Sequence, residues 1–276
     1  MAASADSSQE MKHEHMLYAE PIFNIGDFPV TNSLFTSALA LLVIILVALS
    51  LRSKIKTVPG KLQNVFEMLF EKFFEIFDLI TGSRQKTLKF APFALSFFFL
   101  ILINNWMGLI PGMGSFGHIV IQDGYPHFIP WLRGGTADLN TTLALASIGV
   151  VASHIFGVAA VGAWSYLNKF INIKAFLEIP KKILKEPTII LVNPIKAFVG
   201  LVEIIGEAAK VASLSFRLFG NVFAGEVLLA SMAAIFAFVV PIPFIFLEII
   251  VGLIQALIFA ILVLIYVSIS TSAEEH

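Results

Sequence analysis

Three charged side chains are isolated in a long apolar segment near the carboxyl end of the chain. Between Val211 and Ser270 the only charged residues are Arg217, Glu226 and Glu248. Each charge placed in a bilayer costs several kcal/mol, so such residues usually mark an ion pathway. Arginine keeps its charge in a poor solvent, where lysine can lose a proton, while carboxylates exchange ions with water. The pattern therefore predicts a device that moves ions between two wet regions, with a fixed cation preventing a direct leak.

Helical geometry indicates what Arg217 faces. At about 100° per residue, Ser213, Gly220 and Asn221 fall on the same helical face as Arg217. Small residues around a long cation allow another helix to approach closely. Glu226 lies nine positions further on and points to the opposite side. The arginine and this glutamate are therefore not expected to form an ion pair within one helix.

Two further polar stripes accompany these charges. Glu248 and Gln255 are seven residues apart and share a helical face with Tyr266, which suggests the wall of a hydrated path. The second stripe has spacings of i, i+4 and i+7 and consists of Glu203, Glu207 and Lys210. That stripe fits either a second hydrated path or a solvated helix end, and the spacing leaves both readings open.

The composition places these residues in a membrane protein. The chain has 276 residues, of which 58% are hydrophobic and 13% charged, and its mean hydropathy is +0.88. A soluble domain carries about 25% charged residues. The formal net charge of −1 provides no basic field that would attract nucleic acid. The absence of cysteine excludes disulfide and thiolate chemistry.

The first part of the chain predicts one span followed by an interfacial helix. Residues 1–32 are polar, lack the features of a signal peptide and are expected to lie outside. Residues 33–51 have the length of a transmembrane helix, and the basic cluster after them marks the cytoplasmic side. Residues 61–82 place acidic side chains on one helical face and phenylalanines on the other. This amphipathic helix lies along the cytoplasmic interface or packs against a partner protein.

The remaining segments predict four more spans. Residues 89–167 form a transmembrane hairpin, with an external loop at 112–137 that is rich in glycine, proline and aromatic residues. The hairpin leads into 168–187, whose five lysines indicate the cytoplasm. Residues 193–270 form an ion-translocating helix pair. Its first member is one long tilted helix, broken by the prolines at 241 and 243, and the last span follows.

Polar residues inside two predicted spans suggest packing contacts. Asn104 to Gly108 (NNWMG) is expected to supply hydrogen bonds between helices and an interfacial tryptophan. His154 in the third span fits a hydrogen bond to a neighbouring helix better than a proton relay. The expected fold is an all-α integral membrane protein with five transmembrane helices, one amphipathic interfacial helix and no internal repeat.

Several motifs resemble one known family over nearly the whole chain. They are SLSFRLFGNVFAGE (213–226), the preceding NPIKAFVGLVEIIGEAAK, and TADLNTTLALA (136–146). These stretches resemble subunit a of the rotary F-type ATP synthase, the stator of its membrane sector. The resemblance implies that Arg217 is the essential arginine facing the carboxylate of the subunit c ring. It also implies that the last two spans are long and tilted against that rotor ring.

The resemblance also suggests roles for other polar positions. Glu226 and Gln255 match polar positions of the outer half-channel and the last helix, while Asn221 and Glu203 match further aqueous-path positions. Some family members carry histidine where this chain has Glu248, and a carboxylate there can still relay protons. Asp138 and Asn140 match a loop-to-helix motif that lines the outer vestibule or caps a helix. The remaining candidates for ion translocation are Ser213, Glu207 and Tyr266.

These features lead to an expected function. The chain is expected to be a non-catalytic stator subunit with two offset half-channels that carry protons to and from the c-ring carboxylates. No G-x-x-x-x-G-K-[ST] motif is present, so nucleotide chemistry would belong to other subunits. The alternative is an autonomous secondary transporter or channel, against which the missing repeat argues.

The expected surroundings of the chain follow from the same interpretation. Its partners are the c-subunit ring, the peripheral-stalk b subunits, the rest of the F1Fo complex and the lipid bilayer, without nucleic acid. No cofactor and no metal site are expected. The location is a bacterial plasma membrane, with the N-terminus outside and the C-terminus cytoplasmic.

Overall fold

The computed structural model describes residues 18–52, 55–122, 125–166, 189–236 and 239–272. The predicted polar start up to residue 17 and the lysine-rich segment 168–187 lie outside these ranges. Within them the helices are α1 (Asn32–Arg52), α2 (Lys61–Thr81), α3 (Arg84–Gly108), α4 (Leu139–Val161), α5 (Ile189–Ile235) and α6 (Pro241–Thr271).

Five of these helices are long and apolar enough to cross a membrane: α1, α3, α4, α5 and α6. This confirms the all-α membrane fold class. The remaining helix, α2, has the predicted amphipathic pattern, because Phe73 and Phe77 are buried while Glu67 and Glu71 are exposed. It ends where Gly82 takes a left-handed conformation (φ 67°) and donates its N–H to the Asp78 carbonyl.

The helix α5 is one continuous element of 47 residues, as the sequence indicated. At 1.5 Å per residue it is roughly 70 Å long, about twice the hydrocarbon thickness. The predicted break at the Pro-Ile-Pro sequence is misplaced, since α5 already ends at Ile235. Pro241 and Pro243 lie in the first turn of α6, where a missing N–H has little cost. These prolines begin the last helix and do not end the one before it.

The third span ends before residue 167, where the sequence predicted its end. Helix α4 ends at Val161 because Gly162 adopts a φ of 89°, a value that L side chains rarely take. The Gly162 N–H still donates to the Val158 carbonyl at 2.9 Å. A new turn then begins, in which the Tyr166 N–H donates to the Gly162 carbonyl at 3.0 Å.

Two β-hairpins lie within the predicted external N-terminal segment and the predicted external loop. Their strands are β1 (Pro21–Ile25), β2 (Phe28–Thr31), β3 (Gly117–Gln122) and β4 (Tyr125–Pro130), and both pairs are antiparallel. The segment 112–137 is thus not simply a loop. The sequence between β3 and β4 is Asp-Gly, flanked by Ile-Val-Ile on one side, which is a strong hairpin signal.

The chain divides into two compact units, and the first comprises 1–57, 98–142 and 218–257. Within this unit two hydrogen bonds connect the end of α3 to α6. Asn105 Nδ2 donates to the Gly252 carbonyl and Trp106 Nε1 donates to the Ile249 carbonyl, both at 3.1 Å. The hydrogen bonds predicted for the NNWMG segment are therefore confirmed.

The second unit comprises 58–97, 143–217 and 258–276. Aromatic rings fill part of its core. Phe156 of α4 makes edge-to-face contacts with Phe90 and Phe93 of α3, at centroid distances of 5.4 and 5.5 Å. Phe97 of α3 lies 5.4 Å from Phe259 of α6. Such pairs stabilise the packing beyond the area that they bury.

Candidate functional site

A cavity of about 210 Å³ lies within the first unit, among the ends of α3, α5 and α6. Most of its wall is apolar or glycine, and its polar lining comes from Asn105, Glu226 and Glu248. A water molecule in the liquid occupies about 30 Å³, so the cavity has room for several. It thus brings together the two carboxylates that the sequence had suggested to be ion-translocating groups.

Glu226 is held by an arginine from the loop between β4 and α4. Arg133 Nε donates to Glu226 Oε1 at 3.1 Å, and Arg133 Nη2 donates to Oε2 at 3.0 Å. The Arg133 side chain is only 6% exposed, against 28% for Glu226. Two parallel hydrogen bonds between guanidinium and carboxylate are a strong and geometrically specific pairing. The Glu226 carboxylate is therefore not simply bathed in water.

Glu248 has a different environment on α6. Its carboxyl group packs against Gly225, so that a Cβ added to this glycine would overlap the carboxyl atoms. Among the residues that the structure describes, Glu248 makes no hydrogen bond or ion pair. One turn further along α6, the Gly252 carbonyl accepts the hydrogen bond from Asn105, whose own Oδ1 accepts from the Thr136 hydroxyl at 2.5 Å.

Asp138 lies at the start of α4, where it acts as a helix cap. Its carboxylate accepts hydrogen bonds from the Ser33 hydroxyl and the Thr141 hydroxyl, each at 3.1 Å, and from the Asn140 N–H at 3.2 Å. The side chain is 3% exposed. A carboxylate at this position satisfies helical N–H groups and complements the positive end of the helix. These contacts support the capping interpretation of Asp138 and Asn140.

Arg217 belongs to the second unit and is exposed. Its Nη2 lies 3.5 Å from the Ser213 hydroxyl, one turn earlier on α5. The predicted common face of these two residues is therefore present. Leu214 and Leu218, which flank this face, are buried. The helix thus packs through its leucines and presents the guanidinium on an open surface.

A second polar cluster in the same unit surrounds Glu207. This carboxylate accepts a hydrogen bond from Lys210 Nζ at 2.7 Å, and His154 Nε2 lies 3.5 Å away. On its other side His154 Nδ1 is 2.7 Å from the Tyr166 hydroxyl. Lys210 Nζ also lies over the Tyr266 ring, 5.1 Å from its centroid. Glu207 and Lys210, two members of the predicted polar stripe, therefore belong to a cluster that also includes His154, Tyr166 and Tyr266.

The three remaining candidate residues lie on α5 and α6. Asn221 and Gln255 are partly buried members of the first unit, on α5 and α6. Glu203 is partly buried on α5 in the second unit. Asn221 and Glu203 each have at least one polar partner.

Comparison with known proteins links these residues to one family. A family model described as ATP synthase A chain matches residues 33–268. The chain belongs to the ATP synthase A chain family. Its candidate residues, from Asp138 to Tyr266, all lie within the matched range.

Individual relatives resemble the chain over most of their length. ATP synthase subunit a of Mycobacterium bovis is 32% identical over 251 residues, covering 89% of each chain. The subunit a of Syntrophobacter fumaroxidans is 31% identical over 263 residues, covering 95% of this chain and 92% of its own. That of Campylobacter curvus is 29% identical over 259 residues, covering 92% and 99%. Membership in the ATP synthase A chain family thus extends over almost all of the described structure.

Arg133 is the site residue that the sequence analysis missed. It lies in a segment, Trp-Leu-Arg-Gly-Gly, that was interpreted only as part of an external loop. The available signal was a lone arginine between apolar residues and glycines, five residues before Asp138 of the Thr-Ala-Asp-Leu-Asn motif. Arg133 and Glu226 are 93 residues apart in the chain, so helical periodicity gave no indication of their pairing.

Replacing Asp138 tests whether it is a cap in this member of the ATP synthase A chain family. Asp138→Ala removes the acceptor for Ser33, Thr141 and the Asn140 N–H, and an unsatisfied buried polar group costs about 1–3 kcal/mol. We expect less assembled complex in the membrane and a lower melting temperature of the purified complex, with unchanged proton pumping per assembled complex. Asp138→Asn keeps one acceptor oxygen and should lose less. Reduced pumping per complex in Asp138→Asn would indicate a role in the ion path instead.

Proposed function

We propose that this chain is the non-catalytic stator subunit of a rotary ATP synthase, which carries protons to and from the carboxylates of a ring of c subunits. The observation that carries the proposal is the match to the ATP synthase A chain family over residues 33–268, which includes every charged group of the apolar segment. A membrane scaffold without transport would leave Arg217 and Glu248 without a role, although each is costly in a bilayer.

The proposed outer half-channel is the cavity lined by Glu226 and Glu248. It is wide enough for water, and its polar groups lie within an otherwise apolar wall. Water and a carboxylate in this cavity can pass a proton from the outer surface to a carboxylate on the neighbouring c subunit. The ring then carries that proton around by rotation within the bilayer, and the choice between proton and sodium rests on the ring's own carboxylate.

Arg217 is proposed to release the proton and to block a direct leak. A permanently charged guanidinium stabilises the ionised form of any carboxylate that passes within about 4–6 Å. The arriving c subunit therefore loses its proton beside Arg217, and the ionised carboxylate continues past the cation. The exposure of Arg217, with its close neighbours Ser213 and Gly220, supports this role because a partner helix can reach the guanidinium.

The proposed exit is the polar cluster of the second unit. Glu207 and Lys210 supply groups that bind protons or water along α5, and His154 of α4 lies beside Glu207. Glu203 lies one turn before Glu207 and extends the same stripe toward the basic side of the protein. We place that side in the cytoplasm of a bacterial cell, with the C-terminus there and the N-terminus outside, and we expect the peripheral-stalk b subunits as further partners.

Cross-linking tests the contact with the ring. The chain contains no cysteine, so an introduced cysteine is unique. Gly220→Cys lies one turn beyond Arg217, at a glycine whose Cβ position is open. We expect an oxidant to join it to a cysteine placed beside the c-subunit carboxylate. Leu46→Cys, on the exposed surface of α1, is the control and should not react.

The proposal fails if Gly220→Cys gives no cross-link in an assembled complex, or no more than Leu46→Cys gives. Gentle purification distinguishes a stator subunit from an autonomous transporter. A stator should bring a small two-helix proteolipid ring with it, whereas a self-contained transporter should carry ions after purification and reconstitution without any other chain.

A further inference from the structure

The two carboxylates of the outer cavity differ in their partners, and this difference assigns them different tasks. We propose that Arg133 is a positioning residue that holds Glu226 as a fixed anion, so that Glu248 is the group of the cavity that takes up and releases the proton. The inference rests on the proposed function and specifies which residue of the entry path carries the ion.

The first step concerns the burial of Arg133. Its side chain is 6% exposed, and its guanidinium uses three nitrogens. Nε and Nη2 donate to the Glu226 carboxylate, and Nη1 donates to the Tyr18 carbonyl at 3.2 Å. Its backbone N–H donates to the Thr36 hydroxyl at 3.2 Å. The cation is therefore fixed at both its backbone and its side chain, and it cannot turn to bulk water.

The second step concerns the charge balance. A buried guanidinium requires a counter-charge, and removing one partner of such a pair leaves an uncompensated charge. Protonation of Glu226 would remove that counter-charge and weaken two charge-assisted hydrogen bonds. A proton that travels through Glu226 would have to break this pairing on every passage. Glu226 is thus placed as the counter-charge of the buried Arg133 guanidinium.

The third step concerns Glu248. It borders the same cavity, and among the described residues it has no ion pair or hydrogen bond that protonation would break. Its immediate neighbours are Gly225 on α5 and the Asn105–Gly252 contact, and none of these is charged. Protonation or deprotonation of Glu248 therefore breaks no contact with another described residue. The nearby Glu226 anion, already neutralised by Arg133, does not block the negative form.

Other titratable groups lie on the Arg133 side of the pair. The Glu20 carboxyl is half-buried, and burial raises its pKa while the positive charges of Arg133, His127 and His118 lower it. Glu20 is therefore a second, weaker counter-charge for Arg133. This has a consequence for the test, because a variant without Glu226 retains a partial partner for the arginine.

The experiment uses inverted membrane vesicles that contain the whole complex and measures ATP-driven acidification per assembled complex. We expect Glu248→Gln to reduce acidification by about 20-fold or more, because the transfer group is lost. Glu226→Gln and Arg133→Gln should each reduce it by about three- to tenfold, because each leaves one unbalanced charge. The double variant Arg133→Gln with Glu226→Gln removes both charges and should recover to at least about half of the wild-type rate.

If Glu226 itself carried the proton, the double variant would stay inactive, whereas recovery with an unchanged pH profile requires that another group carries it. We therefore also expect the double variant to keep the pH dependence of the wild type. Arg133→Lys, which retains the charge, should assemble normally and provides a second measurement if Arg133→Gln does not. The proposal is overturned if Glu226→Gln is as inactive as Glu248→Gln and the double variant does not recover, or if Glu248→Gln pumps normally.

The two levels of the interpretation fail in different ways. Arg217→Ala in the same vesicles tests the stator function, which does not depend on how Glu226 and Glu248 share their tasks. Loss of pumping in Arg217→Ala with normal pumping in Glu248→Gln would overturn only the present inference. Normal pumping in Arg217→Ala would overturn the stator function and the inference with it.

Discussion

Arg217→Ala is expected to abolish ATP-driven proton pumping, to below about 1% of the wild-type rate, in a complex that still assembles. The guanidinium supplies the only charge in our scheme that forces an arriving ring carboxylate to ionise, and no alanine can replace it. Assembly should survive because Arg217 is exposed, while the buried Leu214 and Leu218 pack the helix. The measurement is acidification of inverted vesicles, normalised to the amount of complex on a quantitative blot.

Arg84→Ala is the matched control for this variant. Arg84 forms an ion pair with Asp78 at 2.8 Å, and its side chain is 53% exposed. An exposed pair of this kind contributes about 0–1 kcal/mol, so pumping and assembly should stay near the wild-type level. Arg217→Lys separates charge from shape, and we expect it to pump far below wild type because an ammonium group can lose its proton in a poor solvent. Normal coupled pumping by Arg217→Ala would remove the arginine from the mechanism.

Gly225→Ala is expected to reduce proton translocation by about tenfold or more while leaving the fold intact. The added methyl group would occupy the space of the Glu248 carboxyl, which lies directly against this glycine. The obstacle is the flexible end of a side chain, so the carboxyl can rotate away at small cost to stability. A transfer group displaced by about 1 Å can lose two orders of magnitude in rate.

Two further variants show whether the loss arises at Glu248. Gly206→Ala makes the same change on the same helix at a glycine with an open Cβ position, and it should pump normally. Glu248→Asp shortens the side chain by one methylene, so the double variant with Gly225→Ala should pump better than Gly225→Ala alone. If the losses of the two single variants add up in the double variant, the contact between Gly225 and Glu248 is not the cause of the reduced pumping.

The helices followed from the sequence because their determinants are local. Runs of apolar residues fix the spans, and the alternation of phenylalanine and acidic residues fixes α2. The boundaries depended on finer signals. Gly162 ends α4 through a left-handed conformation that composition does not reveal. The β3–β4 hairpin carried an Asp-Gly signal, but the glycine and proline content of the segment favoured an irregular loop.

The site followed from the sequence only in part. Arg217, Glu226 and Glu248 were recognisable because charge is rare in an apolar segment. Arg133 was not, since it lies in a segment that was interpreted as an external loop, and its partner is far away in the chain. Helical periodicity identifies neighbours on one helix, whereas the Arg133–Glu226 and Gly225–Glu248 contacts join different elements. Such contacts require the tertiary packing itself.

The Arg133–Glu226 pair also bears on how the protein is made. Arg133 is synthesised 93 residues before its counter-charge, so the loop that contains it is complete before Glu226 has been made. The cavity is therefore completed only after α5 and α6 have followed the loop, because Glu226 and Glu248 both line it.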